Sequence, residues 1–203
     1  PEMRLTKSDL RRVLRDRRRN RADRLDEVWN GVYVMSPSAD NEHNIISGNL
    51  LTAMNVMLRP ALRRIIIPVP NVSDNPEKWK QNFRIPDVAV FLPGNPAEDR
   101  GTHWLGGPDF AVEVVSPHDH TRKKFGFYAK VGVRELMLVN RGPWRLELYG
   151  LREGELRPLG TSEPTTSERI ASAVLPLTYR MLPGDPRPEI EVTRISDGHQ
   201  WTA

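Results

Sequence analysis

The chain has 203 residues, 38% hydrophobic and 28% charged, with no cysteine and a formal net charge of +4. It is long enough for one well-filled core and too short for two ordinary domains. Without cysteine there are no disulfides, thiolate zinc sites or cysteine nucleophile, and any metal must take oxygen or imidazole ligands. No apolar run approaches the roughly 20 residues of a spanning helix. The N-terminal segment also lacks the apolar centre of a secretory signal, so the expectation is a cytoplasmic protein with no membrane partner.

Charge is unevenly placed. Residues 1–24 hold ten Lys/Arg against four Asp/Glu, and the remainder holds 20 against 22. Leu5 to about Arg19 has amphipathic helical spacing, with Thr6 or Ser8 as N-cap. The run Arg11-Arg-Val-Leu-Arg-Asp-Arg-Arg-Arg19 is either a solvated face above Leu5, Leu10, Val13 and Leu14 or a grip for phosphates. Residues 1–24 thus form a basic helix, part of or appended to a domain over 25–182, with 183–203 as a C-terminal tail.

From Leu25 to Met35, Val28, Val32 and Val34 surround Asn30-Gly31, a strong hairpin signal. Asn41 to Leu58 places Ile45, Ile46, Leu50, Met54, Met57 and Leu58 at helical spacing, stopped by Pro60. Ile65 to Ile67 predicts a short buried strand. Residues 68–83 form a polar loop with three prolines and a tryptophan, mobile or facing a partner. A second loop runs from Pro93 to Gly107. A helix follows from Asp119, its N-cap, to about Val131, closed by Gly132. Strands over Glu135–Asn140 and Trp144–Tyr149 join at Arg141-Gly-Pro143. Weaker strands lie around Leu156 and over Ala173–Leu175, and the Pro-rich stretch Met181–Pro188 hugs the surface. The order predicts one α/β domain, a mixed central β-sheet flanked by α-helices.

Two carboxylates interrupt this apolar pattern. Asp87 lies within Arg84-Ile-Pro-Asp-Val-Ala-Val-Phe91 and Glu113 within Phe110-Ala-Val-Glu-Val-Val115, both otherwise buried strands. With a period of two, Asp87 shares a face with Ile85 and Ala89, and Glu113 with Ala111 and Val115. A buried carboxylate costs several kcal/mol, on the order of the penalty for a buried ion, unless a cation meets it. Lys123 or Lys124 on the following helix supplies an ammonium. Two acids, a backbone carbonyl and waters suit Mg²⁺ or Mn²⁺, and such an ion polarises a phosphoryl oxygen and acidifies a bound water.

The ordered set formed by Asp87, by Glu113 in Val-Glu-Val-Val-Ser-Pro and by Lys124 in Lys-Phe-Gly-Phe-Tyr-Ala-Lys-Val-Gly-Val133 resembles the Uma2 (DUF820) family. That family belongs to the PD-(D/E)XK, or restriction-endonuclease-like, superfamily. The likeness includes Glu27-Val-Trp-Asn-Gly-Val-Tyr-Val-Met-Ser-Pro37, His43, Arg134-Glu-Leu-Met-Leu-Val139 and Pro143-Trp-Arg-Leu-Glu-Leu-Tyr149, about residues 25–182. It implies a restriction-endonuclease-like core and a Mg/Mn-dependent endonuclease acting on DNA. Asp87 and Glu113 would be metal ligands, Lys124 the catalytic lysine and Glu27 the upstream acid that completes the metal site. The usual Glu-x-Lys position holds Val115, so the lysine comes from the helix. Lys123 is the competing choice, and the four-residue step from Lys124 to Tyr128, which resembles the family's Lys-x-x-x-Tyr, implies Lys124.

Each residue has a competing structural reading. Asp87 would cap a loop, Glu113 would face solvent on an edge strand, and Lys124 would be an ordinary surface lysine. Glu27 would be an exposed acid and Tyr128 part of the core. His43 is structural or supports a ligand, and His118 and His120 touch phosphate or are plain loop histidines. At the level of function, the alternative to a nuclease is a catalytically silent module that binds nucleic acid or a protein partner. A homodimer would suit cleavage of both strands of a duplex, and substrate choice would lie in the loops 68–83 and 93–107.

Overall fold

Apolar periodicity, punctuated by Gly and Pro, decides where the elements of this chain begin and end. A computed structural model describes residues 7–36, 39–58, 64–116 and 120–203. In chain order the elements are α1 (Lys7–Arg19), β1 (Glu27–Trp29), β2 (Val32–Val34), α2 (Asn41–Met57), β3 (Ile65–Pro68), β4 (Val72–Ser73), β5 (Phe83–Arg84), β6 (Val88–Phe91), β7 (Glu98–Asp99), β8 (Trp104–Leu105), β9 (Phe110–Val115), α3 (Phe125–Lys130), β10 (Glu135–Arg141), β11 (Trp144–Arg152), β12 (Glu155–Ser162), β13 (Ile170–Ala171), β14 (Leu177–Leu182), β15 (Glu189–Arg194) and β16 (Gln200–Thr202). Short 3-10 turns occupy Trp79–Gln81 and Thr121–Lys124. The expected roles of Leu5, Thr6, Pro60, His118 and Asp119 fall outside the described residues.

The central sheet runs β12-β11-β10-β9-β6-β3. It is mixed, with β9 and β10 parallel and the other neighbours antiparallel. On one face Val88, Val90, Phe110, Val112, Val114, Met137 and Val139 pack against Ile46, Leu50, Met54 and Met57 of α2. On the other, Ala111, Leu136 and Leu138 pack against Phe127 and Tyr128 of α3. The α/β architecture read from the sequence, a mixed sheet with helices on its faces, is the one observed. Asp40 caps α2, accepting the His43 N–H at 2.8 Å, and Asn30-Gly31 turns the β1–β2 hairpin with φ of 49° and 84°. Both values lie in the left-handed region that a tight two-residue hairpin demands and that Asn and Gly adopt most readily.

Several expectations are corrected. Ile65–Ile67 does form a strand, but at the sheet edge. Among the described residues β3 has no neighbour on its outer side, and Ile65 is 46% exposed. The stretches 68–83 and 93–107 are not plain loops, because they contribute β4, β5, β7 and β8 to a second sheet, β2-β1-β5-β4-β8-β7. Strands of two residues carry no readable period. Ala173–Leu175 is a bend between β13 and β14 rather than a strand. Beyond Leu182 the chain builds β15 and β16 of a third sheet, β13-β14-β15-β16, and Ile190 and Val192 enter the main core. Asp87 itself sits one residue before β6, and its N–H prolongs the ladder by donating to the Val112 carbonyl at 3.0 Å.

Candidate active site

Strand alternation puts Glu113 on the α3 face of the sheet, in the row of Ala111, on the central strand β9 between β6 and β10. It is buried, not an edge-strand acid. Asp87 reaches the same place from the adjoining strand. Its Oδ2 accepts the Val114 N–H at 2.7 Å, and its Oδ1 lies 3.0 Å from His43 Nε2.

Across from them, the turn before α3 buries Lys124 and leaves Lys123 exposed. Lys124 Nζ donates to Glu113 Oε1 and Oε2 at 3.0 and 3.2 Å and lies 2.9 Å from Glu27 Oε1. Glu27, at the start of β1, is fixed on both oxygens. Oε1 accepts the Ile85 N–H at 2.8 Å and Oε2 accepts Trp29 Nε1–H at 2.6 Å. Asp87, Glu113, Lys124 and Glu27 are thus brought together from four separate segments. His43 joins them through Asp87, whereas His120 is exposed at the start of the turn.

Two further residues, Tyr128 and Arg84, complete the surroundings. The Tyr128 hydroxyl donates to Glu113 Oε1, so this core residue also has a polar role. The step of four from Lys124 to Tyr128 places both on one side of the helical segment. Arg84, buried beside Trp29 and Phe127 at 4.7 and 4.3 Å from their ring centres, gives its N–H groups to the Val28 and Phe83 carbonyls and to Asn82 Oδ1. An arginine and a tryptophan in short, irregular segments carry no sequence signal of such a role. His43 Nδ1 is buried and finds no partner among the described residues.

The electrostatics follow from burial. Loss of water, opposed by Lys124 and reinforced by Asp87 and Glu27, pushes the Glu113 carboxyl up to about 8. Burial alone would lower Lys124, but Glu113 and Glu27 more than offset it and hold it as the ammonium. Burial, then the charges of Glu113 and Glu27, raise the Tyr128 phenol well above its ordinary value, so it remains a donor. Burial lowers His43, but its bond to Asp87 outweighs that and raises it. Glu113 therefore has more negative neighbours than one ammonium offsets, a condition that an added cation would relieve. Among the described residues, no three Asp, Glu or His side chains are grouped so as to hold a metal ion by themselves.

The sequence profile of Uma2, described as "Putative restriction endonuclease", matches residues 10–181. The chain belongs to the Uma2 family. The fold agrees with that of a solved Uma2 (DUF820) structure, the "putative nuclease belonging to DUF820" from Anabaena variabilis ATCC 29413, at a TM-score of 0.57 and 17% identity. The match covers 72% of this chain and 80% of the Anabaena chain. No curated protein matches. Among the described residues of this Uma2 chain, no helix is long and apolar enough to cross a membrane.

Proposed function

We propose that this Uma2 protein is an endonuclease that hydrolyses DNA phosphodiester bonds with Mg²⁺ or Mn²⁺. The observation that carries the proposal is the buried Lys124 ammonium held between Glu113 and Glu27, with Asp87 alongside on the neighbouring strand. The donor set fits a hard divalent ion in type and charge, being all oxygen, free of thiolates and short of positive charge around Glu113. Mg²⁺ is commonly bound by one or two carboxylates, with waters and substrate phosphate completing its shell. A pair of acids is therefore sufficient.

In this reading Asp87 and Glu113 hold the ion, which when bound would polarise a phosphoryl oxygen and lower the pKa of a water. His43 orients Asp87, as partners of ligating groups commonly do. Lys124 sets a fixed positive charge beside the carboxylate pair, where it can stabilise negative charge developing on phosphate. Glu27 and Tyr128 keep that side of the site in place. Glu27 Oε1 lies 2.9 Å from Lys124 Nζ, so we assign it first to holding that ammonium, with the ligand role expected from the sequence open to it as well. A module that only binds nucleic acid has no use for an ion pair of this kind, whose desolvation is costly.

Incubation of supercoiled plasmid DNA with the purified chain tests the reading. Nicked or linear product is expected with Mg²⁺ or Mn²⁺, none in chelator, and about 100- to 1,000-fold less from Lys124→Met or Asp87→Asn, on the scale of losing a preorganised charge. Equal cleavage by these variants, or none by the wild type with either ion, contradicts it.

A further inference from the structure

Helix α1 carries a feature that the proposed site does not use. At 100° per residue, Arg11, Arg12, Arg15, Arg18 and Arg19 fall within an arc of about 120°, and all five are exposed. Val13, half-buried, and Arg17 lie on the opposite side, while half-buried Leu14, Asp9 and Asp16 flank the arc rather than sit in it. The arc is therefore of a single sign. The pair of Arg12 with Asp9, at 3.7 Å and well exposed, neutralises little of it. Like charges three and four residues apart weaken an isolated helix, so an anchor is needed to keep this one in place. Arg17 is that anchor. Its guanidinium binds both Asp26 oxygens, the Ala22 carbonyl at 2.7 Å and the Ser36 carbonyl at 2.8 Å.

We propose that this arginine stripe grips the phosphate backbone of duplex DNA and delivers it to the Lys124 site, an inference that rests on the nuclease reading above. The charge is complementary to a polyanion. The stripe is about 12 Å long at 1.5 Å per residue, matching roughly three to four phosphates of one strand. The anchor also ties the stripe to the site, because Asp26 immediately precedes Glu27, which holds Lys124 at 2.9 Å. An arginine turned inward thus sets the helix's rotation, and five turned outward face solvent.

Binding of a fluorescent duplex by the full chain, followed by anisotropy in chelating buffer across a salt series, separates this proposal from the cleavage chemistry. Each phosphate contact adds about 0.9 to the slope of log K against log salt. The triple variant Arg11→Gln/Arg15→Gln/Arg18→Gln should therefore show a slope shallower by roughly 2 to 3. A control with the same change of charge elsewhere, Arg152→Gln/Arg157→Gln/Arg187→Gln, should keep the wild-type slope. Hydrolysis of bis(p-nitrophenyl) phosphate with Mn²⁺ should be unchanged in the stripe variant. A wild-type slope in the stripe variant overturns the proposal, as does an equal loss in the control or tighter binding to anionic phospholipid vesicles than to DNA. Loss of slope in a chain that never cleaves DNA leaves the stripe standing and refutes the nuclease reading. Normal cleavage with an unchanged slope does the reverse.

Discussion

Glu113→Gln offers a direct reading of the strain that the site places on its central acid. In the native chain the Glu113 carboxyl, pushed up to about 8 by burial against the pull of Lys124, keeps a proton that an unfolded glutamate loses near about 4.3. A raised native pKa gives stability that is fully present below the unfolded value and is lost as pH rises through the native one. Without divalent ions, each pH unit in that window removes about 1.4 kcal/mol. Raising the pH from about 5.5 to about 7.5 should then remove about 2–3 kcal/mol from the wild type and spare the variant, whose amide does not titrate. One kcal/mol is worth about 2–4 °C in a chain of this size, so the gap between the two Tm values should change by about 5–10 °C. Circular dichroism melts of both proteins across this range, in chelating buffer, measure it. Parallel profiles would refute the assignment of a buried, proton-retaining Glu113.

Lys124→Met should lose about 3–5 kcal/mol by leaving buried carboxylates without their counter-ion, and the loss should be smaller at pH 5 than at pH 8 because protonation relieves it; denaturant titration at the two pH values reads both. Burial raises the Asp26 carboxyl, but Arg17, Tyr33 and the Ser36 N–H together lower it below the usual range, so its contribution holds above about 3.9 and fades as pH falls through its native value. Amide exchange in α1, corrected for intrinsic rates, should therefore accelerate as the medium is acidified through that native value while β10 and β11 stay protected, and Arg17→Gln should reproduce this at neutral pH. His43→Ala should weaken Mn²⁺ binding by about 10-fold or more through a looser Asp87, measured by titration calorimetry, with little change in Tm. A Cβ on Gly107 would lie 2.9 Å from the Val131 carbonyl, where the Gly107 N–H bonds that oxygen at 2.7 Å, so Gly107→Ala should cost about 1–3 kcal/mol in thermal unfolding.

The mixed α/β architecture was legible in the sequence, and so were Asp87 and Glu113 as candidates for a site. Asp87 and Glu113 stand out because charge in a β-branched run violates the burial pattern, whereas the choice of Lys124 over Lys123 rests on the resemblance to the family's Lys-x-x-x-Tyr and not on the residues alone. What spacing along the chain does not contain is the closing of the site by distant segments. The role of Glu27 depends on β1 pairing with β5, where Val28 meets Phe83. His43 reaches Asp87 only because α2 packs on the sheet. The second sheet is hidden because its strands after the hairpin are two residues long. The third was within reach: Leu177, Tyr179 and Met181 alternate inward along β14, as do Ile190 and Val192 along β15. The prolines at 176, 183, 186 and 188 break these runs into pieces that read as a surface tail, though each lies outside the paired residues of the two strands.

If Asp87 and Glu113 together hold a divalent ion, calorimetric titration with Mn²⁺ will read it without any substrate. Saturable binding to the wild type is expected, tighter at pH 8 than at pH 6 because Glu113 must release its proton. Binding should be lost in Glu113→Gln and in Asp87→Asn while both remain folded. Undiminished binding in the two variants, or none to the wild type even with duplex DNA present, would contradict it.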